Sequence, residues 1–261
     1  MPRFSANLSF LFPDLPFLDR FAAAAKAGFR AVEFAFAYEH DPTEIGGRLT
    51  AHGLTQALFN LPPGDPAAGD RGLAALPGRE SEFRASVDRA LVLARTTGCK
   101  RLHVMAGNYP ADADRGIADA VYVDNLRYAA DAMAGEGIIL TIEPLNTSDN
   151  PDYFLTTTAQ AIAVLDKVGR DNARLQLDLY HCQIMEGDLA KHIERLLPRV
   201  GHIQIAGNPG RHEPDRGEIN YPFLFDLLDE LGYDGWVGCE YRPHAGTLEG
   251  LGWARRFGIG T

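Results

Sequence analysis

Between Arg174 and Gly187 the chain reads Arg-Leu-Gln-Leu-Asp-Leu-Tyr-His-Cys-Gln-Ile-Met-Glu-Gly. Leu175, Leu177 and Leu179 alternate with Gln176 and Asp178, which is the period of a β-strand. The pattern runs out at Tyr180 and His181, and the polar stretch up to Gly187 reads as a loop. Comparable apolar or alternating runs predict strands over residues 4–12, 31–36, 54–61, 101–106, 138–145, 173–180, 200–206 and 236–241. Helical patterns follow each in turn, over 16–27, 42–52, 80–97, 114–135, 157–168, 188–197, 221–231 and 247–256, several closed by a glycine such as Gly28, Gly53 or Gly98. Glu218 and Asn220 are candidates to cap the helix that starts at Tyr221. Strand-then-helix alternation demands a parallel sheet. Eight such units with no linker-like break predict an α/β protein, one (β/α)8 TIM barrel domain over residues 1–261. An open doubly wound sheet would place a glycine-rich phosphate turn after its first strand, and Leu-Phe-Pro-Asp-Leu-Pro fits that poorly. Residues 62–79, rich in Pro, Gly and Ala with Asp65, Asp70 and Arg71, read either as a lid over a site or as a plain surface excursion.

The pairing of a strand end with a polar side chain recurs. Glu143 ends the fifth strand, Asp178 the sixth, Gln204 lies late in the seventh, and Glu240 ends the eighth. Chemistry in such barrels sits at the carboxyl ends of the strands. Two residues earlier, on the same faces, stand Thr141, Gln176, His202 and Gly238, against the apolar neighbours Leu140, Leu177, Ile203 and Val237. The inward face of this half of the barrel is therefore polar, where a plain core would carry branched apolar residues. Burying three carboxylates together costs several kcal/mol for each ion, and like charges repel. One divalent cation answers both. Three carboxylates and an amide suit Mg2+ or Mn2+, and a nearby imidazole from His181 or His202 would also tolerate Mn2+, Co2+ or Zn2+. Any one of these residues alone has a structural reading, such as capping the next helix; four on successive strand ends point to a metal. His202 reads as a supporting or core histidine, His181 as functional because it shares the loop with Asp178, and His103 as either. His40, His52, His192, His212 and His244 fall on helices or loops and read as solvated.

Composition narrows the classes. The 261 residues suffice for one barrel, which takes about 250. Hydrophobic content of 46% and charged content of 23% are those of a globular chain. A net charge of -10 disfavours nucleic-acid phosphates and anionic membrane as partners, so an anionic substrate would need a local positive centre. Cys99, Cys182 and Cys239 form no disulfide framework, which suits a reducing cytoplasm. The first residues lack the apolar core of a signal peptide, and no run approaches a membrane span.

A divalent ion polarises a carbonyl and its neighbouring hydroxyl. The C–H between them then needs a base, and the enediolate an acid. Glu143 and Glu240 flank the set and are the candidates for these proton transfers, with Asp178 and Gln204 chiefly holding the metal. His181 is placed to donate to an enediolate oxygen. Arg211, in the loop after the seventh strand, reads either as a fork for a substrate carboxylate or hydroxyl or as a solvated arginine. Asn7, in the first strand, joins His181 and Arg211 as a substrate-binding candidate.

These residues carry a resemblance. Residues 3–9 (RFSANLS), 28–34 (GFRAVEF), 60–79 (NLPPGDPAAGDRGLAALPGR), 142–146 (IEPLN), 180–187 (YHCQIMEG), 201–206 (GHIQIA), 217–221 (GEINY) and 235–241 (GWVGCEY) resemble the hydroxypyruvate isomerase family of xylose-isomerase-like barrels. The resemblance implies a (β/α)8 fold and a divalent metal on Glu143, Asp178, Gln204 and Glu240. It also implies Glu143 and Glu240 as proton donor and acceptor, and a homodimer or homotetramer. The family reaction converts hydroxypyruvate to tartronate semialdehyde. A similar branch converts 2-oxo-tetronate to 3-oxo-tetronate, and LPPGD, RLHVMAG, HCQIMEGD and NPGRHEPDRGEINYP resemble that branch at least as closely. Ala35-Phe36-Ala37 departs from the bulkier Phe-Pro pair expected after Glu33, which bears on the size of the pocket. A ketose 3-epimerase would use the same barrel and metal but return the proton to the same carbon. A zinc-dependent DNA endonuclease would need more His and acid ligands and a basic groove. A non-catalytic ligand-binding barrel need not keep both Glu143 and Glu240.

Overall fold

In the computed structural model, which describes residues 1–109 and 114–260, strands and helices alternate along the chain. The strands are β1 (Arg3–Asn7), β2 (Ala31–Phe34), β3 (Thr55–Asn60), β4 (Arg101–His103), β5 (Ile139–Ile142), β6 (Ala173–Asp178), β7 (Val200–Ile205) and β8 (Trp236–Cys239). The helices are α1 (Arg20–Lys26), α2 (Pro42–His52), α3 (Glu80–Thr97), α4 (Arg115–Ala134), α5 (Thr158–Val168), α6 (Leu179–Met185), α7 (Leu189–Leu196), α8 (Tyr221–Glu230) and α9 (Thr247–Gly250). Each strand pairs in parallel with its neighbours in sequence, and β8 returns to β1, so the eight strands close a barrel.

Local chemistry sets the helix ends. Asp41 accepts from Thr43 N and Pro42 opens α2, while Gly53 at φ 61° ends it. Thr157 and Gln160 form a reciprocal capping box at α5. Asn220 caps α8 by accepting from Phe223 N. Glu218 instead accepts from Asn208 and Gln183.

The register places the inward side chains. Asn60 pairs with His103, His103 with Thr141, Gln176 with His202, Asp178 with Gln204, and Gln204 with Gly238. Partners across a parallel ladder share a face, so a polar belt lines the barrel. Leu140, Leu177, Ile203 and Val237 are fully buried on the other face, in one apolar cluster with the helices.

The strands are shorter than their apolar patterns. β1 stops at Asn7, not residue 12, because Phe10 N and Leu11 N turn back onto Asn7 O and Ser9 N onto Asn7 Oδ1. β4 ends at His103, and β5 ends at Ile142, so Glu143 lies one residue past the ladder. The 16–27 helix is a 3-10 turn (Phe17–Asp19) followed by α1, and the 247–256 helix is α9 followed by a 3-10 stretch (Leu251–Phe257). The stretch after β6, read as a loop, is α6. Among the described residues no helix is long and apolar enough to cross a membrane. All three cysteines are buried and unpaired.

Residues 62–79 hold only one short 3-10 turn (Pro66–Ala68), yet the second half of the segment is fixed. Ala74 N and Ala75 N donate to Met105 O and Ala106 O just beyond β4, and Gly72 bridges to Ala106. A lid that swung as a whole would have to break these bonds.

Candidate active site

Near the carboxyl ends of β5 to β7, Thr141, Gln176, Glu143 and Gln204 join in one buried network. Thr141 Oγ1 donates to Gln176 Oε1 at 2.9 Å. Gln176 Nε2 donates to Glu143 Oε2 at 3.0 Å and to Gln204 Oε1 at 2.7 Å. Gln204 Nε2 donates to Glu33 Oε1 at 2.8 Å. The two amides are thus oriented by their partners, with the Gln204 oxygen turned to Gln176 and its nitrogen to Glu33.

Glu143, Asp178 and His181 each offer an atom within 4.8 Å of the others, a cluster compatible with a metal site. Asp178 ends β6 and opens α6, where its Oδ1 accepts from Tyr180 N at 2.8 Å. Asp178 therefore serves twice, one oxygen capping a helix and the other turned to Arg211. His181, on the first turn of α6, accepts at Nδ1 from Asn146 N (3.0 Å) and Asn146 Nδ2 (2.7 Å). A nitrogen that accepts twice carries no proton, so the hydrogen sits on Nε2, 3.6 Å from Asp178 Oδ2. Burial, then Arg211, holds this imidazole well below its usual pKa, so the ring is neutral.

Glu240 follows β8 directly. Arg211 Nη2 lies 3.1 Å from Glu240 Oε2 and 3.2 Å from Asp178 Oδ2, so the two carboxylates face each other across one nitrogen. The guanidinium is also flanked by the rings of Phe10 and Tyr180, at 5.1 and 5.0 Å. Arg211 is thus part of the acidic cluster rather than a solvated loop residue. Glu143 is raised well above the usual carboxylate range, by burial first and then by the charges of Glu240 and Asp178. Asp178 is raised by burial despite Arg211. Burial likewise pushes Glu240 up to about 8, against the pull of Arg211. Three crowded carboxylates that resist ionisation, with Glu143 Oε1 lacking any hydrogen-bond partner, form a donor set whose unmet need is positive charge. The residues present therefore fit a hard divalent cation.

Glu33, inside β2, has no partner that the sequence pattern reveals. It is fully buried and accepts from Ser5 Oγ (2.7 Å), Asn7 Nδ2 (3.1 Å) and Gln204 Nε2 (2.8 Å), with His202 Nε2 at 2.8 Å. Burial works to raise its pKa, but nearby His202 and the hydrogen bonds outweigh it, and the net direction is down. His202 is accordingly a core partner of Glu33. Asn7 is engaged by Glu33 and by Ser9 N. Gly238 keeps the space open, since a Cβ there would overlap the Glu33 carboxylate. His103 lies inside the barrel with Nδ1 3.2 Å from Asn60 Oδ1 and 3.6 Å from Glu143 Oε2. Burial lowers it to about 3, so it is neutral. Of the histidines read as solvated, His244 is exposed and His40, His52, His192 and His212 are half-buried.

A closed parallel barrel with carboxylates and a neutral imidazole at its carboxyl-end mouth is the architecture of a barrel enzyme with a metal-compatible centre. The family model described as "Xylose isomerase-like TIM barrel" matches residues 21–257, and the chain belongs to that family. It is 58% identical to the 2-oxo-tetronate isomerase of Cupriavidus necator, over 98% of this chain and 99% of that one. It is 48% identical to the hydroxypyruvate isomerase of Escherichia coli K12, over 97% and 98% of the two chains. A crystal structure described as AP endonuclease, family 2, from Brucella melitensis superposes with a TM-score of 0.97 at 50% identity, covering 98% of this chain and 99% of that one.

Proposed function

We propose that the protein is a divalent-metal-dependent isomerase of small α-hydroxy keto acids, interconverting 2-oxo- and 3-oxo-tetronate or hydroxypyruvate and tartronate semialdehyde. The observation that carries this reading is the convergence of the two acids on Asp178, Glu143 offering an oxygen within 4.8 Å of it and Glu240 sharing Arg211 Nη2 with it. The relatives named as isomerases of these two acids support it. A net charge of -10 opposes docking on a phosphodiester backbone, so the nuclease description of the Brucella relative is not carried to this chain.

Glu143, Asp178, Gln204 and Glu240 would hold the cation, Mg2+ first, with Mn2+, Co2+ or Zn2+ as alternatives. When bound, the ion supplies Lewis-acid polarisation of the substrate carbonyl and its neighbouring hydroxyl. One of Glu143 and Glu240 takes the proton from the hydroxyl-bearing carbon, leaving an enediolate. The other returns a proton to the former carbonyl carbon, while the hydroxyl proton passes to the former carbonyl oxygen. The Nε2–H of His181, fixed by Asn146, is a ready donor to the enediolate oxygen. Three buried, unpaired thiols suit a cytoplasmic setting, and a homodimer or homotetramer is the expected assembly.

The test is a panel of three- to six-carbon α-hydroxy carbonyl compounds, with and without carboxylates, assayed with Mg2+, Mn2+ and Co2+. Isomerisation of an acid member is expected. Glu143→Gln and Glu240→Gln should each remain folded and lose at least about 100-fold in kcat. Full activity in either variant, or no conversion of any acid with any of the ions, overturns the reading.

A further inference from the structure

The centre described above is poor in free positive charge. Glu33, Glu143, Asp178 and Glu240 all face the barrel interior or its mouth. Arg211, the arginine that the sequence offers for a substrate carboxylate, already has partners. Its Nη2 donates to Asp178 and contacts Glu240, its Nε donates to Glu240 O, and its faces lie against Phe10 and Tyr180. A single dication added to this set leaves no positive excess for a substrate that brings its own negative charge.

A second arginine stands at the rim. Arg71 immediately precedes the point where the 62–79 segment is clamped to the end of β4. There Gly72, at φ 115°, lies so close to Met105 that a Cβ would overlap the Met105 backbone. The clamp fixes the position of Arg71. Its Nη1 donates to Asn150 Oδ1 at 2.8 Å. Asn150 N donates to Asn146 O, and Asn146 holds the His181 ring. Arg71 is thereby linked through two asparagines to the imidazole beside Asp178. Tyr153, whose hydroxyl accepts from Ala106 N, lies within reach of the charges of both Glu143 and Arg71. The neighbouring acid Asp70 is taken by Arg79, both of its oxygens lying 2.8 Å from Arg79 Nη1. Among the described residues no carboxylate pairs with Arg71, and none accepts from its Nη2 or Nε.

We infer that Arg71, oriented by Asn150, is the carboxylate subsite of this pocket, its free guanidinium edge receiving the acid end of a small α-keto acid. The inference rests on the isomerase reading and adds to it the residue that distinguishes acids from neutral sugars. A planar fork with one edge fixed and the other free is suited to a two-point contact with a carboxylate.

The test uses the Mg2+-loaded enzyme and the variants Arg71→Met and Arg71→Lys, with an acid substrate, D-glycerate as a charged inhibitor and glycerol as its neutral counterpart. For Arg71→Met the KM of the acid and the Ki of glycerate should each rise about 10- to 100-fold. Its kcat should stay within a few-fold of wild type, and the Ki of glycerol should not move. Arg71→Lys, which keeps the charge and loses the fork, should fall between. A wild-type enzyme that converts neutral sugars but no acid overturns the isomerase reading and the subsite with it. A wild-type enzyme active on acids, with KM unchanged in Arg71→Met, overturns the subsite alone. So does an equal rise for glycerate and glycerol, which would mark a disturbed loop rather than lost carboxylate recognition.

Discussion

At the scale of single residues, Glu33 bears more of the centre than its place in the sequence suggests. Ser5, Asn7, His202 and Gln204 all converge on its two oxygens. Glu33→Ala would leave these groups buried without an acceptor, and about 3–5 kcal/mol of stability should be lost. Urea unfolding monitored by tryptophan fluorescence measures this, and a loss below about 1 kcal/mol would contradict the picture. Glu33→Gln retains one acceptor oxygen and should cost less. The strand-end acids were legible because period-two alternation puts them on the inward face wherever the strand is recognised. Glu33 lies on the same kind of face, but its partners are 26 to 171 residues away, on β1 and β7. Only closure of the barrel brings them together. The same distance hid the contact of Arg211 with Asp178 and Glu240.

Among the elements, the helices read most faithfully. The patterns at 42–52 and 80–97 match α2 and α3 at both ends, and a left-handed glycine just past the last turn fixes each C-terminus. Strand ends were overextended because buried turns after a barrel strand stay apolar, as Leu8 and Leu11 do after β1. The helix missed entirely is α6. Its sequence, Leu-Tyr-His-Cys-Gln-Ile-Met, shows no apolar stripe, since Leu179, Tyr180, His181 and Cys182 are all buried against the barrel end. Its start signal was Asp178, which the strand pattern had already claimed. The dual use of Asp178 gives a test at this scale. Asparagine caps a helix about as well as aspartate, and alanine does not. In metal-free protein Asp178→Asn should therefore be more stable than Asp178→Ala by about 1 kcal/mol, measured by denaturant midpoint. Equal stabilities would mean that the cap on Tyr180 N contributes nothing to holding α6 in place.

For the whole molecule, the barrel encloses charges that its own residues do not balance, and its stability should register this. Glu240 ionises near 4.5 in an unfolded chain and is pushed up to about 8 in the fold, chiefly by burial. Glu143 and Asp178 are displaced in the same direction. A group whose folded pKa is raised binds more protons folded than unfolded. Its stabilising contribution is complete below the unfolded pKa and is lost as pH rises through the folded one. His103 and His181 are held below 6.5 and work oppositely, favouring the fold as pH climbs toward 6.5. At pH 6.5 the unfolded histidines are still half protonated, so they partly offset the carboxylates up to about pH 7.5, beyond which the carboxylates act alone. In EDTA, Tm should therefore fall between pH 6.5 and pH 8, by roughly 5 °C if a few kcal/mol are at stake. A cation competes with protons for the same oxygens, so 5 mM Mn2+ should raise Tm more at pH 8 than at pH 6.5. Differential scanning calorimetry at both pH values, with and without the ion, reads the two effects together. A metal-free Tm that rises over this interval, or a Mn2+ increment that shrinks with pH, would mean that these carboxylates are not the groups the ion engages.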